Sequence, residues 1–269
     1  MSKAVRQLVF AYLLFILFLS VAGFFEGILG EIIYFLAFLL PIAFVIVLNK
    51  GFSELCLPKI RISKRDLLLT LPTIAPIILT ILGISAFVSF LFSLFGVYNE
   101  SAVDLSGSIF IVILRHAFLT AVCEELLFRY LPIALLSKYS PKLTVLLSSI
   151  FFAFAHCNIF QIPYALFAGF VFCVIDIIFD SVAPSLILHF INNLLSVFWM
   201  KYGGVPNFKL IYIISLAVIS LISIIVLILI LGKYKNSAFR FVEDKTKLHL
   251  QAEVWVFIVM TALISLISI

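Results

Sequence analysis

Residues 209–232 read Lys209-Leu-Ile-Tyr-Ile-Ile-Ser-Leu-Ala-Val-Ile-Ser-Leu-Ile-Ser-Ile-Ile-Val-Leu-Ile-Leu-Ile-Leu-Gly232. Behind its leading lysine the stretch carries no charge, and about 20 such residues make a helix long enough to cross a bilayer. It lacks the alternation over about ten residues that marks a barrel strand. It reads as a spanning helix, and seven more segments read the same way: 8–25, 31–49, 67–95, 108–136, 142–157, 161–179 and 183–200. A ninth, 254–269, is shorter and either spans marginally or lies re-entrant.

Composition agrees. Of 269 residues, 65% are apolar and 12% charged, against roughly 45–50% and about 25% in ordinary soluble domains. The mean hydropathy is +1.31. The polar residues needed to cover the outside of a globule are missing, so lipid is the expected solvent and the expected partner. The fold class expected is all-α, a polytopic transmembrane helical bundle. It divides into two N-terminal helices with a basic loop (1–66), a core (67–200) and C-terminal helices (201–269). Residues 8–23, behind Lys3 and Arg6, have the outline of a signal peptide. However, another apolar segment follows within ten residues and no clear small-residue cleavage site is visible, so a first spanning helix is expected.

The net charge is +5, and its placement points to membrane orientation rather than to nucleic acid, which is not expected as a partner. Lys3 and Arg6 precede the first span. Lys50, Lys59, Arg61, Lys64 and Arg65 follow the second, and Arg129, Lys138 and Lys142 cluster after the fourth. Lys233, Lys235, Arg240, Lys245 and Lys247 follow the eighth. With the N-terminus in the cytoplasm all of these face inward, and only Lys201 and Lys209 face out. The loop 49–66 alternates Leu57, Ile60 and Ile62 with Lys59 and Arg61. It reads either as a surface segment held by anionic headgroups or as a solvated connector. Cys56, Cys123, Cys157 and Cys173 form no C-x-x-C and read as small buried hydrophobes. The 30 phenylalanines read as lipid-facing and packing surface without a specific role.

Ionisable groups at bilayer depth are costly and mark function. The fourth span holds Arg115, His116, Glu124, Glu125 and Arg129; the fifth His156; the sixth Asp176 and Asp180; the seventh His189, with Asn192 and Asn193. Glu125 and Arg129 share a face at i, i+4 and are expected to pair. Glu124, about 100° round the helix, is then free to face something else. His189 and Asn193 also share a face, and an imidazole beside a carboxamide can stabilise an oxyanion. At 1.5 Å per residue Glu124 and His156 fall about 24 Å and 21 Å along their helices, near mid-membrane or somewhat cytoplasmic of it, where the four groups can converge on one cavity. Each feature also has a structural reading: a lone intramembrane histidine is often an inter-helix hydrogen bond, and a Glu–Arg pair can simply hold a helix. Asp180 reads most simply as a cap before Pro184, and Arg115 as snorkelling outward or meeting a carboxylate.

Glu124-Glu125-Leu-Leu-Phe-Arg129, Phe152-Ala-Phe-Ala-His156 and His189-Phe-Ile-Asn-Asn193 resemble, in order and spacing, the three motifs of the type II CAAX prenyl endopeptidases and their bacterial Abi relatives. Asp180-Ser-Val-Ala-Pro184-Ser-Leu-Ile-Leu-His189 also looks like that family's approach to its second histidine. The resemblance covers roughly 67–200. It implies a helical bundle with a cytoplasm-facing cavity and a glutamate-dependent intramembrane endopeptidase. In it Glu124 and His156 activate water, His189 and Asn193 bind the oxyanion, and Glu125 and Arg129 support the site. The implied substrate is a membrane-associated peptide or protein: a prenylated C-terminus, a leader, or a bacteriocin or signalling peptide. The implied location is the plasma membrane of a prokaryote. No cofactor is expected. A zinc alternative uses Glu124, His156 and His189, although no H-E-x-x-H is present. Two competing readings stand beside the enzyme: a non-catalytic immunity or scaffold protein, and a transporter using the carboxylates as a proton relay. Against the transporter, the chain has no inverted repeat and no pair of broken helices.

Overall fold

A computed structural model describes residues 2–51, 55, 57–98, 105, 107–137, 139–233 and 252–267. Cys56, Lys138, Lys235, Arg240, Lys245, Lys247 and most of the 96–107 loop lie outside the described residues. The described chain is helical throughout, without strands. The helices are α1 (Ser2–Ala22), α2 (Gly27–Leu48), α3 (Lys64–Thr70), α4 (Ile74–Ser93), α5 (Ile109–Val112), α6 (Thr120–Glu125), α7 (Leu131–Leu136), α8 (Pro141–Ala155), α9 (Ile162–Phe179), α10 (Ala183–Tyr202), α11 (Phe208–Lys233) and α12 (Ala252–Ile267). Six described helices are long and apolar enough to cross a membrane, as an integral membrane protein requires. In lipid every backbone polar group must be satisfied within the chain, and helices do this segment by segment.

Local sequence accounts for the boundaries. Ser63 and Asp66 form a reciprocal capping box at α3, and a turn of 3₁₀ helix at Leu71–Thr73, begun by Pro72, carries the chain into α4. Ser140 caps α8, its hydroxyl accepting from the Leu143 N–H at 3.1 Å, with Pro141 in the first turn. The first helix begins at Ser2 rather than near residue 8, so Lys3 and Arg6 ride on its first turns. The next turn is tied to the end of α2, where the Asn49 side chain donates to Gln7 Oε1 at 3.3 Å.

Helix α8 is short. Fifteen residues span about 22 Å, less than the roughly 30 Å hydrocarbon core. Its C-cap is His156, followed by Cys157 in a left-handed conformation (φ 47°). Asn158 then closes the turn by accepting from the Phe160 N–H at 2.9 Å. Helix α8 therefore ends at a partly buried His156. At the opposite end the basic loop is strapped to the α9–α10 turn. Lys59 and Ser181 pair as an isolated parallel bridge, the Val182 N–H donates to Lys59 O at 3.0 Å, and Lys59 forms an ion pair with Asp180. The part of the loop at 59–61 is thus a tethered segment with a protein partner.

Candidate active site

Helices α5, α6 and α7 form one continuous stretch, 109–136, whose regular ladder is widened twice into π-helical turns, at Ile113–Leu119 and Leu126–Tyr130. A wide turn loosens its carbonyls, and side chains take them up. In the first, Thr120 Oγ1 donates to Arg115 O at 3.0 Å. In the second, the Tyr12 hydroxyl of α1 donates to Leu127 O at 3.2 Å, and the Ser148 hydroxyl of α8 donates to Phe128 O. The second turn lies between Glu125 and Arg129, so α1 and α8 hold the backbone that aims those two side chains. Buried rings pack around it: Tyr12 stacks on Phe128 at 5.1 Å and tilts against Phe151 at 4.4 Å.

Glu125 and Arg129 are buried, at 3% and 0% exposure. Glu125 Oε2 lies 3.6 Å from Arg129 Nε, the pairing that the i, i+4 spacing predicts. Glu125 Oε1 accepts from His189 Nδ1 at 2.7 Å. The other imidazole nitrogen, Nε2, stands 3.3 Å from Glu124 Oε2. One imidazole thus has a carboxylate at each nitrogen, contributed by adjacent residues of a different helix. Glu124 is the more open of the two, with 15% of its side chain exposed. Tyr34 of α2 and Tyr164 of α9 lie within electrostatic reach of it.

His156 is placed differently. Its Nδ1–H donates to Phe152 O at 2.8 Å, which leaves Nε2 as the nitrogen with a free lone pair. Among the described residues it makes no ion pair with Glu124. It reaches the rest of the cluster through the Phe152 ring, which meets His156 edge-on at 4.9 Å and His189 edge-on at 5.6 Å. The guanidinium of Arg129 lies 4.2 Å over the same ring, within cation–π range. Phe152 is the common wall of both histidines and the arginine. Asn193 is half-buried one turn beyond His189, and its Oδ1 accepts from Asn192 Nδ2 at 3.3 Å.

The remaining polar residues sort by position. Arg115 meets a carboxylate, Glu31 of α2, at 3.1 Å. Asp180 is the left-handed C-cap of α9 and the partner of Lys59. Asp176 is fully buried and accepts from the Ser185 N–H at 3.2 Å. Phe172, on the same face of α9 one turn earlier, packs on His189 at 5.7 Å and lies 5.7 Å from the Arg129 guanidinium. The sequence reading missed Phe172, Ser185, Tyr34 and Tyr164. The first two carry a retrievable signal, since Phe172 and Asp176, like Ser185 and His189, stand four residues apart. Among the described residues no three His, Cys, Asp or Glu side chains are gathered as a metal-binding group.

The segment that holds these residues matches a known family. The family model described as Type II CAAX prenyl endopeptidase Rce1-like aligns with residues 106–195, from the start of the π-widened helix to just beyond Asn193. No curated protein and no solved structure matches the chain.

Proposed function

We infer, from the match of residues 106–195 to the type II CAAX prenyl endopeptidase family model, that this membrane protein hydrolyses a peptide bond by the joint action of Glu124, His156, His189 and Asn193. The family supports a CAAX-type intramembrane endopeptidase acting in a lipid environment on a membrane-associated peptide. The observation that carries the residue roles is the clamp on His189, with Glu124 at 3.3 Å and Glu125 at 2.7 Å.

Amide hydrolysis needs a base for the attacking water, donors for the developing oxyanion and a proton for the leaving amine. Glu124 is the accessible carboxylate and takes the proton of water as the hydroxide adds to the carbonyl carbon. His156 presents its Nε2 lone pair because Nδ1 is committed to a backbone carbonyl, and it acts with Glu124 on that water. His189, carrying both protons, donates from Nε2. In the resting site that donor faces Glu124, and with substrate bound it turns to the oxyanion alongside the Asn193 carboxamide. When the carbon–nitrogen bond breaks, the proton held by Glu124 passes to the amine. Glu125 and Arg129 touch no substrate and hold His189 in place.

Cleavage of a farnesylated CAAX peptide, or of a leader or bacteriocin peptide, in proteoliposomes tests this reading. Glu124→Gln is expected to lower turnover by about 10²–10⁴-fold while leaving the unfolding temperature in detergent near wild type. A folded Glu124→Gln variant that cleaves as wild type defeats the assignment. Running the same assay with protein treated with a chelator decides between water activation by these side chains and the zinc alternative.

A further inference from the structure

We propose that Asp176, which lies in none of the three motifs, is a positioning residue that sets the register of α10 against α9 and thereby delivers His189 to its two carboxylates. Helix α10 opens at Ala183 behind Val182, whose side chain supplies no cap. The first N–H groups of a helix need acceptors, and at Ser185, which is fully buried, water does not stand in for one. Asp176 provides one from a different helix. Its Oδ1 accepts from the Ser185 N–H at 3.2 Å, and its main-chain carbonyl accepts from the Ser181 N–H at 3.1 Å. One residue therefore grips both ends of the α9–α10 turn. A carboxylate at this end also faces the positive pole of the α10 dipole.

The geometry then repeats one turn deeper. Phe172 precedes Asp176 by four residues on α9, and His189 follows Ser185 by four on α10. Asp176 meets Ser185 and Phe172 meets His189, at 5.7 Å between rings. These are two rungs between antiparallel helices. Sliding α10 along α9 breaks both rungs at once and withdraws the imidazole from Glu125. Ser185 is itself fully buried and lies beside Glu125 as well, so the upper rung adjoins the clamp. Among the described residues Asp176 Oδ2 has no hydrogen-bond partner, nor have Glu125 Oε2 and Arg129 Nε and Nη2. A polar side chain buried to this degree is costly, and its retention at the α9–α10 corner is accounted for by the accepting atom that the helix needs there.

The activity half of this proposal rests on the endopeptidase reading; the structural half does not. The probe is diethyl pyrocarbonate on the detergent-purified full chain, with modification of each histidine followed by peptide mass spectrometry, alongside cleavage kinetics. Asp176→Ala and the volume-matched Asp176→Leu are expected to speed modification of His189 with His156 unchanged. They are also expected to lower kcat by about 10–100-fold, the scale known for outer partners that orient a functional side chain, at nearly constant KM. Asp176→Asn keeps a carbonyl oxygen for the Ser185 N–H and is expected to stay near wild type in both measurements. If His189 remains protected in both Asp176→Ala and Asp176→Leu, or if Asp176→Asn behaves as they do, the proposal fails. A wild-type protein that cleaves nothing, yet shows the expected labelling pattern, sinks the protease reading and sustains this one.

Discussion

His189 is held at both nitrogens, and that makes Glu125 and Arg129 more than a helix-internal pair. Arg129 is the largest fully buried side chain of the described residues. It faces Glu125 on one side and the Phe152 ring on the other. Removing one partner of a buried ion pair leaves the other uncompensated and costs about 3–5 kcal/mol. Arg129→Met is expected to lose that much stability, read from denaturant unfolding in detergent. The double variant Glu125→Leu/Arg129→Met is expected to regain most of it, because both charges are then gone, yet to remain poor in cleavage because His189 Nδ1 has lost its acceptor. An Arg129→Met protein as stable as wild type contradicts this account of the pair. Which residues could act was readable from their chemistry alone, since carboxylates and imidazoles stand out in an apolar chain. The partner of each was less legible. The spacing argument left Glu124 facing an unnamed group, and the resemblance paired it with His156. In the fold its nearest imidazole is His189, because adjacent carboxylates 100° apart can bracket one ring when that ring enters between them from another helix.

At the scale of the element, the π-helical turn Leu126–Tyr130 and the crossing of α8 with α9 decide where the site sits. The turn depends on Tyr12 and Ser148, one residue from each of two other helices. The crossing depends on Gly169. A Cβ built there would meet Ser149 Cα at 3.0 Å and Phe152 Cδ1 at 3.2 Å. Small residues let helix backbones approach closely in membranes, and here the near neighbours are a backbone atom and the ring that walls both histidines. Gly169→Ala is therefore expected to cost about 1–3 kcal/mol as overpacking and to lower cleavage through displacement of Phe152. Equal activity and an unchanged unfolding midpoint would show that the crossing has slack. Nothing in the local sequence announces the π turns. A carbonyl freed at 127 or 128 is invisible until a donor distant in sequence, Tyr12 or Ser148, is folded against it.

For the molecule as a whole, the strap between residues 59–61 and the turn at 180–182 places those segments on one side of the membrane. Four helical stretches lie between them, α4, 109–136, α8 and α9, the even number that the basic-residue pattern expects if each one crosses. Their ion pair, Lys59 with Asp180, is more than half exposed on both sides, so it contributes little to stability and serves to report sidedness. Single cysteines introduced at Lys3, Arg61 and Asp180 are expected to react with a membrane-impermeant maleimide only in inverted vesicles. One at Gly204 is expected to react in intact cells. Labelling of Arg61 and Asp180 from opposite sides would overturn the topology. Span positions were legible because twenty apolar residues in a row have one low-energy destination.

From composition and apolar run length alone it was already settled that this chain lives in lipid, that it is helical, and which ionisable side chains lie among its apolar segments. Those properties follow from one-dimensional quantities: transfer free energy summed along a segment, and the cost of an unsatisfied backbone in hydrocarbon. It took the packing of the helices to show that His189 stands between Glu124 and Glu125, that Phe152 joins His156 to that cluster, and that Asp176 caps a helix other than its own. Those contacts depend on the rotation and axial register of one helix against the next. In lipid such registers are set by van der Waals fit and a few hydrogen bonds rather than by hydrophobic burial, and the pattern of apolar residues along a span carries no record of them.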